Sequence, residues 1–332
     1  MTPYRSPAWL PGGHLQTIWP ALYARRFAGP PPAWRRERWD TPDGDFVDVD
    51  WLDAVPPGAA PLLVLFHGLE GSSRSHYAEA FAGWARERGL ALAVPHFRGC
   101  SGEINRAPRA YHSGDVAEVG WLLQRFHRWQ RARRGGPLLA VGVSLGGNAL
   151  LRWAGEAGAG AADRVTAMAA VCSPLDLAAG GHAIGRGFNR QVYTRMFLRT
   201  MKAKARAKLA QHPGLFDAAR LHSARDLYAF DDLFTAPLHG FDGVDDYWRR
   251  ASAKPHLAAI RVPALALNAR NDPFVPAASL PRADEVGPRV TLWQPDEGGH
   301  VGFCQGGAPG DVFWLPRAVG GWLLDQARLA RR

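Results

Sequence analysis

Pro137-Leu138-Leu139-Ala140-Val141-Gly142-Val143-Ser144-Leu145-Gly146-Gly147-Asn148 is the stretch whose reading decides the fold. Its first half is a continuous apolar run, the pattern of a strand covered on both faces. Its second half opens a helical stretch over 145–156. At the junction stands Gly-x-Ser-x-Gly, the pattern of a nucleophile elbow. There a strand turns sharply into a helix, the serine is held strained, and flanking glycines let neighbouring backbone pass without a Cβ. In a chain with 37 glycines the five residues alone are a weak signal. Their place after a buried strand and before a helix makes them specific.

Similar runs flank this one. Short apolar segments at 61–67, 90–95, 165–171, 263–269 and 290–294 read as further strands, with helical stretches at 75–88, 115–133 and 311–329. Upstream, 34–41 and 46–52 read as strands joined by Pro42-Asp43-Gly44, a composition suited to a hairpin turn. Alternating strands and helices define an α/β fold: about eight strands, mostly parallel, with helices on both faces. Residues 173–260 are too long for an ordinary crossover and rich in helix formers and aromatics. They are expected to form a helical cap inserted before the penultimate strand, over the sheet's carboxyl edge. The expected organisation is a single domain, 1–332, with an N-terminal arm at 1–34 and a core at 35–172 and 261–332.

A serine hydroxyl becomes a useful nucleophile only when a base takes its proton, and that base needs a carboxylate to fix its tautomer. The chain order for such a sheet is Ser, acid, His. His300, in Gly298-Gly299-His300-Val301-Gly302-Phe303, follows the last strand and is the expected base. Asp272, in Asn271-Asp272-Pro273-Phe274, lies just past the penultimate strand and is the preferred acid. Asp176, after the preceding strand, is the alternative, and Asp296 is too close in sequence to His300. The oxyanion of acyl transfer needs two converging backbone N–H groups. Leu145, at the helix start, supplies one, and Leu69, in His67-Gly68-Leu69-Glu70-Gly71, is expected to supply the other. Aromatic and Met residues of the cap, among them Phe188, Met196, Phe197, Met201, Tyr228, Phe230 and Phe234, would line an acyl pocket or pack the cap's own core.

The 332 residues are 47% hydrophobic, enough for a large core, and carry a formal charge of +10. The basic residues are mostly Arg and scattered, so nucleic acid is not an expected partner. The dense stretches at 125–134 and 201–208 read as solvated helix faces. The basic, partly amphipathic stretch 186–208 leaves room for weak peripheral contact with an anionic membrane. Cys100, Cys172 and Cys304 are widely spaced, without C-x-x-C or a histidine cluster, so no disulfide framework, metal or cofactor is expected. The first thirty residues lack signal-peptide character and no apolar run is long enough to span a bilayer. A cytoplasmic location and no obligate protein partner are expected.

The chain resembles the YheT-like branch of the α/β-hydrolases over nearly its whole length. The resemblance rests on His14-Leu15-Gln16-Thr17, Pro42-Asp43-Gly44-Asp45-Phe46, His67 to Gly71, and His96-Phe97-Arg98-Gly99-Cys100-Ser101-Gly102-Glu103. It continues through Tyr111-His112-Ser113-Gly114, Gly142 to Asn148, Phe230-Asp231-Asp232, Asn271 to Phe274, and Gly298 to Phe303. Small departures are Gly12-Gly13 before the first element and Ile104 where a proline is common after Glu103. The resemblance implies an α/β-hydrolase fold and a triad of Ser144, Asp272 and His300. It also implies serine carboxylic ester hydrolysis on small-molecule acyl esters of short to medium chain, with monoacylglycerol-type lipids among them. Acyl transfer to an alcohol from the same Ser144 intermediate is the enzymatic alternative, and a non-catalytic binding protein the alternative from another class.

Overall fold

The computed structural model describes residues 3–53, 56 and 58–330, so the outermost residues of the expected arm and core lie outside the described residues. Eight strands form one sheet in the order β1-β2-β4-β3-β5-β6-β7-β8. They are β1 Trp34–Asp40, β2 Phe46–Leu52, β3 Leu62–Phe66, β4 Ala91–Pro95, β5 Leu138–Val143, β6 Ala167–Val171, β7 Ala264–Leu267 and β8 Val290–Trp293. β2 pairs antiparallel with both β1 and β4, and the remaining pairs are parallel.

The continuous apolarity of the central strands follows from helices on both faces. On one face Leu62, Val64 and Phe66 of β3 pack with α3 (Val116–Ala132) and α4 (Leu145–Ala157). On the other, Leu63 and Leu65 pack with α2 (His76–Arg88) and the closing α12 (Trp314–Leu329). β2 is buried along its whole length although it carries two aspartates. The hairpin register sets Arg36 opposite Asp50 and Arg38 opposite Asp48, and both pairs are bidentate, with N–O distances of 2.7–2.9 Å. Charged groups paired in this way can be buried without the full penalty of an isolated ion.

Three features differ from the sequence expectations. The opening segment, expected as an N-terminal arm with no element assigned to it, contains α1 (Gly13–Leu22), with Pro20 inside it. The strands at 263–269 and 290–294 are shorter than their apolar runs, ending at Leu267 and Trp293, although the Asn268 and Arg270 N–H groups still donate to Trp293 O and Pro295 O just beyond them. The last helix starts at Trp314 rather than near 311, since the Asp311 carboxylate accepts the Phe313 N–H before the helix begins.

Between β6 and β7 the chain is helical: α5 Leu177–Ile184, α6 Gly187–Asn189, α7 Arg195–Gln211, α8 Ala218–Ser223, α9 Leu227–Phe230, α10 Ala236–Leu238 and α11 Val244–Ala251. α6 runs into α7 through a π-helical turn, Arg190–Thr194. These helices hold small apolar clusters of their own, such as Leu198, Ala205, Leu221, Phe230, Leu233 and Phe234.

Candidate active site

β5 delivers Ser144 to the carboxyl edge of the sheet, and the turn into α4 leaves it at φ 53°, ψ −119°. Such a conformation is costly for a non-glycine residue and persists only where the surroundings fix it. Here the Ser144 N–H donates to Val171 O at 2.8 Å, while its carbonyl accepts the N–H groups of Gly147 and Asn148. Two glycines make the turn sterically allowed. A Cβ on Gly146 would lie 2.5 Å from the carbonyl oxygens of both Phe66 and His67, and one on Gly142 would lie 2.5 Å from Gly146 O. Asn148 then fastens α4 to its surroundings: its buried amide donates to Ser113 O and Ala251 O and accepts from Ala253 N–H, all at 2.9 Å.

The structure brings Ser144, His300 and Asp272 together. His300 Nε2 lies 3.0 Å from Ser144 Oγ, and His300 Nδ1 lies 2.8 Å from Asp272 Oδ2. A carboxylate can only accept, so Nδ1 carries the proton and Nε2 is left to accept from the serine hydroxyl. The Asp272 side chain is fully buried. Its second oxygen accepts the N–H groups of Phe274 at 2.8 Å and Val275 at 3.3 Å, which fixes its plane. Asp176, the alternative acid, is spent elsewhere: it caps α5 by accepting from Ala179 N–H at 3.0 Å. Asp296 is largely solvent-exposed at 94%.

The Leu69 turn sits against Ser144, with no room for a Cβ at Gly68 looser than 3.1 Å from Ser144 Cβ. It is held at several points. The Gly68 N–H donates to Tyr77 Oη at 2.9 Å, the Glu70 N–H to Tyr111 Oη at 3.0 Å, and the Gly71 N–H to Gly68 O at 2.9 Å. Buried His67 ties this turn to the end of β4: its Nδ1–H donates to Gly68 O and its Nε2 accepts from Phe97 N–H. Burial pushes His67 down to about 3, so it stays neutral. Among the described residues, the Leu69 and Leu145 N–H groups have no hydrogen-bond partner, whereas both neighbours of Leu69 are engaged.

Sequence reasoning assigned no role to the residues of α1, yet they brace the site. Fully buried Gln16 accepts from Asn271 Nδ2 at 2.8 Å and from Gly298 N–H at 2.9 Å, one on each of the loops that carry Asp272 and His300. The Thr17 hydroxyl accepts the His300 N–H at 2.9 Å. The signal was present as His14-Leu15-Gln16-Thr17 but had no local partner to give it meaning. Tyr111 and Arg98 likewise prove structural: Tyr111 Oη also donates to Glu70 at 2.8 Å, and Arg98 is buried among Asp43, Asp45 and Glu118.

A cavity opens above Ser144 and His300. Its wall includes Leu177, Ile184, Phe197, Met201, Phe230 and Phe234 from the helical segment. Phe188, Met196 and Tyr228, also expected as pocket residues, are outside it, 52%, 56% and 38% exposed. One polar edge is formed by Glu70, Tyr111 and Lys204, with the Lys204 ammonium 2.8 Å from Glu70 Oε1 and 3.2 Å from Cys100 Sγ. Burial pushes the Cys100 thiol up to about 11 and Cys172 well above its ordinary range, so neither is a ready thiolate. Among the described residues no cluster of His, Cys, Asp or Glu is arranged to hold a metal ion, and no helix is long and apolar enough to cross a membrane.

A serine at a strained strand-to-helix turn, bonded to a histidine that is bonded to a buried carboxylate, defines the class of serine-dependent hydrolase sites. The chain belongs to the α/β-hydrolase family, whose fold model matches residues 61–307. It is 42% identical to YheT of Escherichia coli (strain K12), over 93% of this chain and 89% of that protein. It is 28% identical to Phospholipase ABHD3 of Mus musculus, over 87% of this chain and 71% of that one. The Pyrococcus furiosus esterase Pf2001 superposes with a TM-score of 0.51 at 16% identity, covering 91% of this chain and 93% of the other, a likeness of fold.

Proposed function

We propose that this protein is a serine carboxylic ester hydrolase that turns over short- to medium-chain acyl esters through an acyl-enzyme on Ser144. The observation that carries the reading is the continuous relay Ser144 Oγ, His300, Asp272, with separations of 3.0 and 2.8 Å. The relay gives each group its step. Ser144 Oγ attacks the ester carbonyl while His300 Nε2 takes the hydroxyl proton, and Asp272 stabilises the resulting imidazolium. The oxyanion lies between the Leu69 and Leu145 amides, with the start of α4 adding its positive dipole end. Collapse breaks the carbonyl-to-alkoxy bond, and His300 hands its proton to the departing alcohol. Water, deprotonated by His300, then releases the carboxylic acid and restores Ser144.

An apolar wall over the serine suits an acyl chain. That a relative is named a phospholipase supports ester lipids as the substrate class. The test is hydrolysis of p-nitrophenyl esters from acetate to palmitate by wild type and Ser144→Ala. Hydrolysis by wild type that falls to the uncatalysed rate in the variant is expected. Equal rates in the two proteins would refute the reading. Addition of ethanol separates hydrolysis from acyl transfer by the appearance of ethyl ester.

A further inference from the structure

The helix that roofs the cavity has a second face. Phe197, Met201, Lys204 and Lys208 of α7, at steps of four, three and four, point to one side and line the cavity over Ser144. Arg195, Arg199, Lys202 and Arg206 repeat those steps half a turn away and line an outward groove together with Arg190 and Arg225. From 177 to 216 the sequence carries eight Lys or Arg and no Asp or Glu. Arg190, Arg195, Arg199, Arg206 and Arg225 are exposed, and among the described residues none of them has an ion-pair partner. Burial lowers the Lys202 ammonium from its ordinary value, and the neighbouring Arg225 and Arg206 add to the shift.

Beside this cationic face runs an apolar stripe. Phe188, Val192 and Met196, spaced four residues apart, are 52%, 37% and 56% exposed. The Phe188 ring packs 4.5 Å from that of His14 on α1, whose next residue, Leu15, is 49% exposed. Cations alone would suit any polyanion. Cations flanking an exposed Phe-Val-Met stripe match a surface that is anionic at its rim and hydrocarbon beneath.

We propose that the outward face of α7 and the turn before it dock onto an anionic lipid bilayer, Phe188, Val192 and Met196 entering the interface and the arginines meeting the headgroups. The opposite face of the same helix closes the cavity over Ser144, so docking sets the roof of the site at the membrane. Only this coupling rests on the proposed hydrolase reading. The docking surface stands on α7 itself.

The experiment is sedimentation of the full-length Ser144→Ala protein, which leaves lipid intact, with vesicles of phosphatidylcholine alone or mixed with phosphatidylglycerol. At low salt the protein is expected to bind the mixed vesicles, to bind the neutral ones far less, and to dissociate as salt rises. Replacing Arg195, Arg199 and Arg206 by Gln should weaken partition to mixed vesicles roughly a hundredfold, at about a fivefold loss per cation. Phe188→Ser with Met196→Ser should also weaken it and make the remaining binding more salt-sensitive. Both variants alter exposed residues, and an unchanged thermal midpoint verifies their folding. Absence of vesicle binding by the parent protein at low salt would overturn the proposal. So would binding indifferent to the arginine changes, or a serine pair variant that binds vesicles like the parent while duplex DNA binding depends on the arginines. Because binding is read without turnover, a failure here leaves the ester chemistry at Ser144 standing.

Discussion

Gln16→Leu puts the bracing role of α1 to a quantitative test. The side chain is fully buried and accepts from Asn271 Nδ2 and Gly298 N–H while donating to Leu10 O at 3.0 Å. Leucine fills similar space but accepts nothing, so the buried Gly298 N–H and the part-buried Asn271 amide lose their acceptor. At about 1–3 kcal/mol for each stranded group, the loss of stability is about 2–6 kcal/mol. The effect on turnover has a separate origin. Asn271 adjoins Asp272, and Gly298 begins the turn that carries His300, so both loops lose a common reference point. A displacement near 1 Å in such a relay costs about a hundredfold in rate. Thr17→Val, which removes the acceptor for the His300 N–H and the hydroxyl that donates to Gly13 O within α1, should cost about 1–3 kcal/mol and a smaller part of the rate. The assay pairs urea unfolding with kcat/KM on a short-chain p-nitrophenyl ester, at a temperature where circular dichroism shows each variant folded. Folded Gln16→Leu with kcat/KM within twofold of wild type would refute the argument that α1 positions the two loops.

Two further outcomes are expected. Asp272→Asn keeps the shape of the carboxylate but favours the wrong histidine tautomer, so kcat should fall by about four orders of magnitude with the thermal midpoint little changed; a fall below tenfold would exclude Asp272 as the orienting acid. Stability should also drop on mild acidification. Burial holds His67, His76 and His112 down to about 3, 4 and 3, so below their ordinary 6.5 the unfolded chain binds more protons than the folded one. Asp231, raised by burial to about 6, and Glu118, also raised by burial, partly offset this by releasing protons on unfolding. The net loss between pH 7.5 and 5.5 is about 1–2 kcal/mol, read from urea midpoints, and a higher midpoint at pH 5.5 would contradict it.

Much of the fold was legible because its signals are local. The run ending in Val143 and the glycines around Ser144 specify a buried strand, a strained turn and a helix from adjacent residues. Continuous apolar runs announced the central strands, and Pro42-Asp43-Gly44 announced the β1–β2 hairpin. What stayed hidden depends on distant chain segments. Asp272 was preferred to Asp176 from the sequence, but the contact itself depends on two distant loops meeting, which sets Asp272 beside His300 and leaves Asp176 engaged at the start of α5. α1 was invisible because Gly12, Gly13 and Pro20 argue against a helix. Its stability comes from Gln16 and Thr17 bonding to loops some 255 to 283 residues away. The aromatics between β6 and β7 carried no mark of which would face the cavity, because that depends on how α7 lies over the sheet. Phe197 and Met201 face inward, whereas Met196, one residue away from Phe197, faces out.

The most direct measurement of the central claim is the mass of the covalent intermediate. Wild type treated with a fluorophosphonate, or quenched by acid during turnover of a p-nitrophenyl ester, is expected to gain one phosphonyl or acyl group on the peptide carrying Ser144, with no such gain in Ser144→Ala. Modification of another residue, or undiminished ester turnover by Ser144→Ala, would contradict the account.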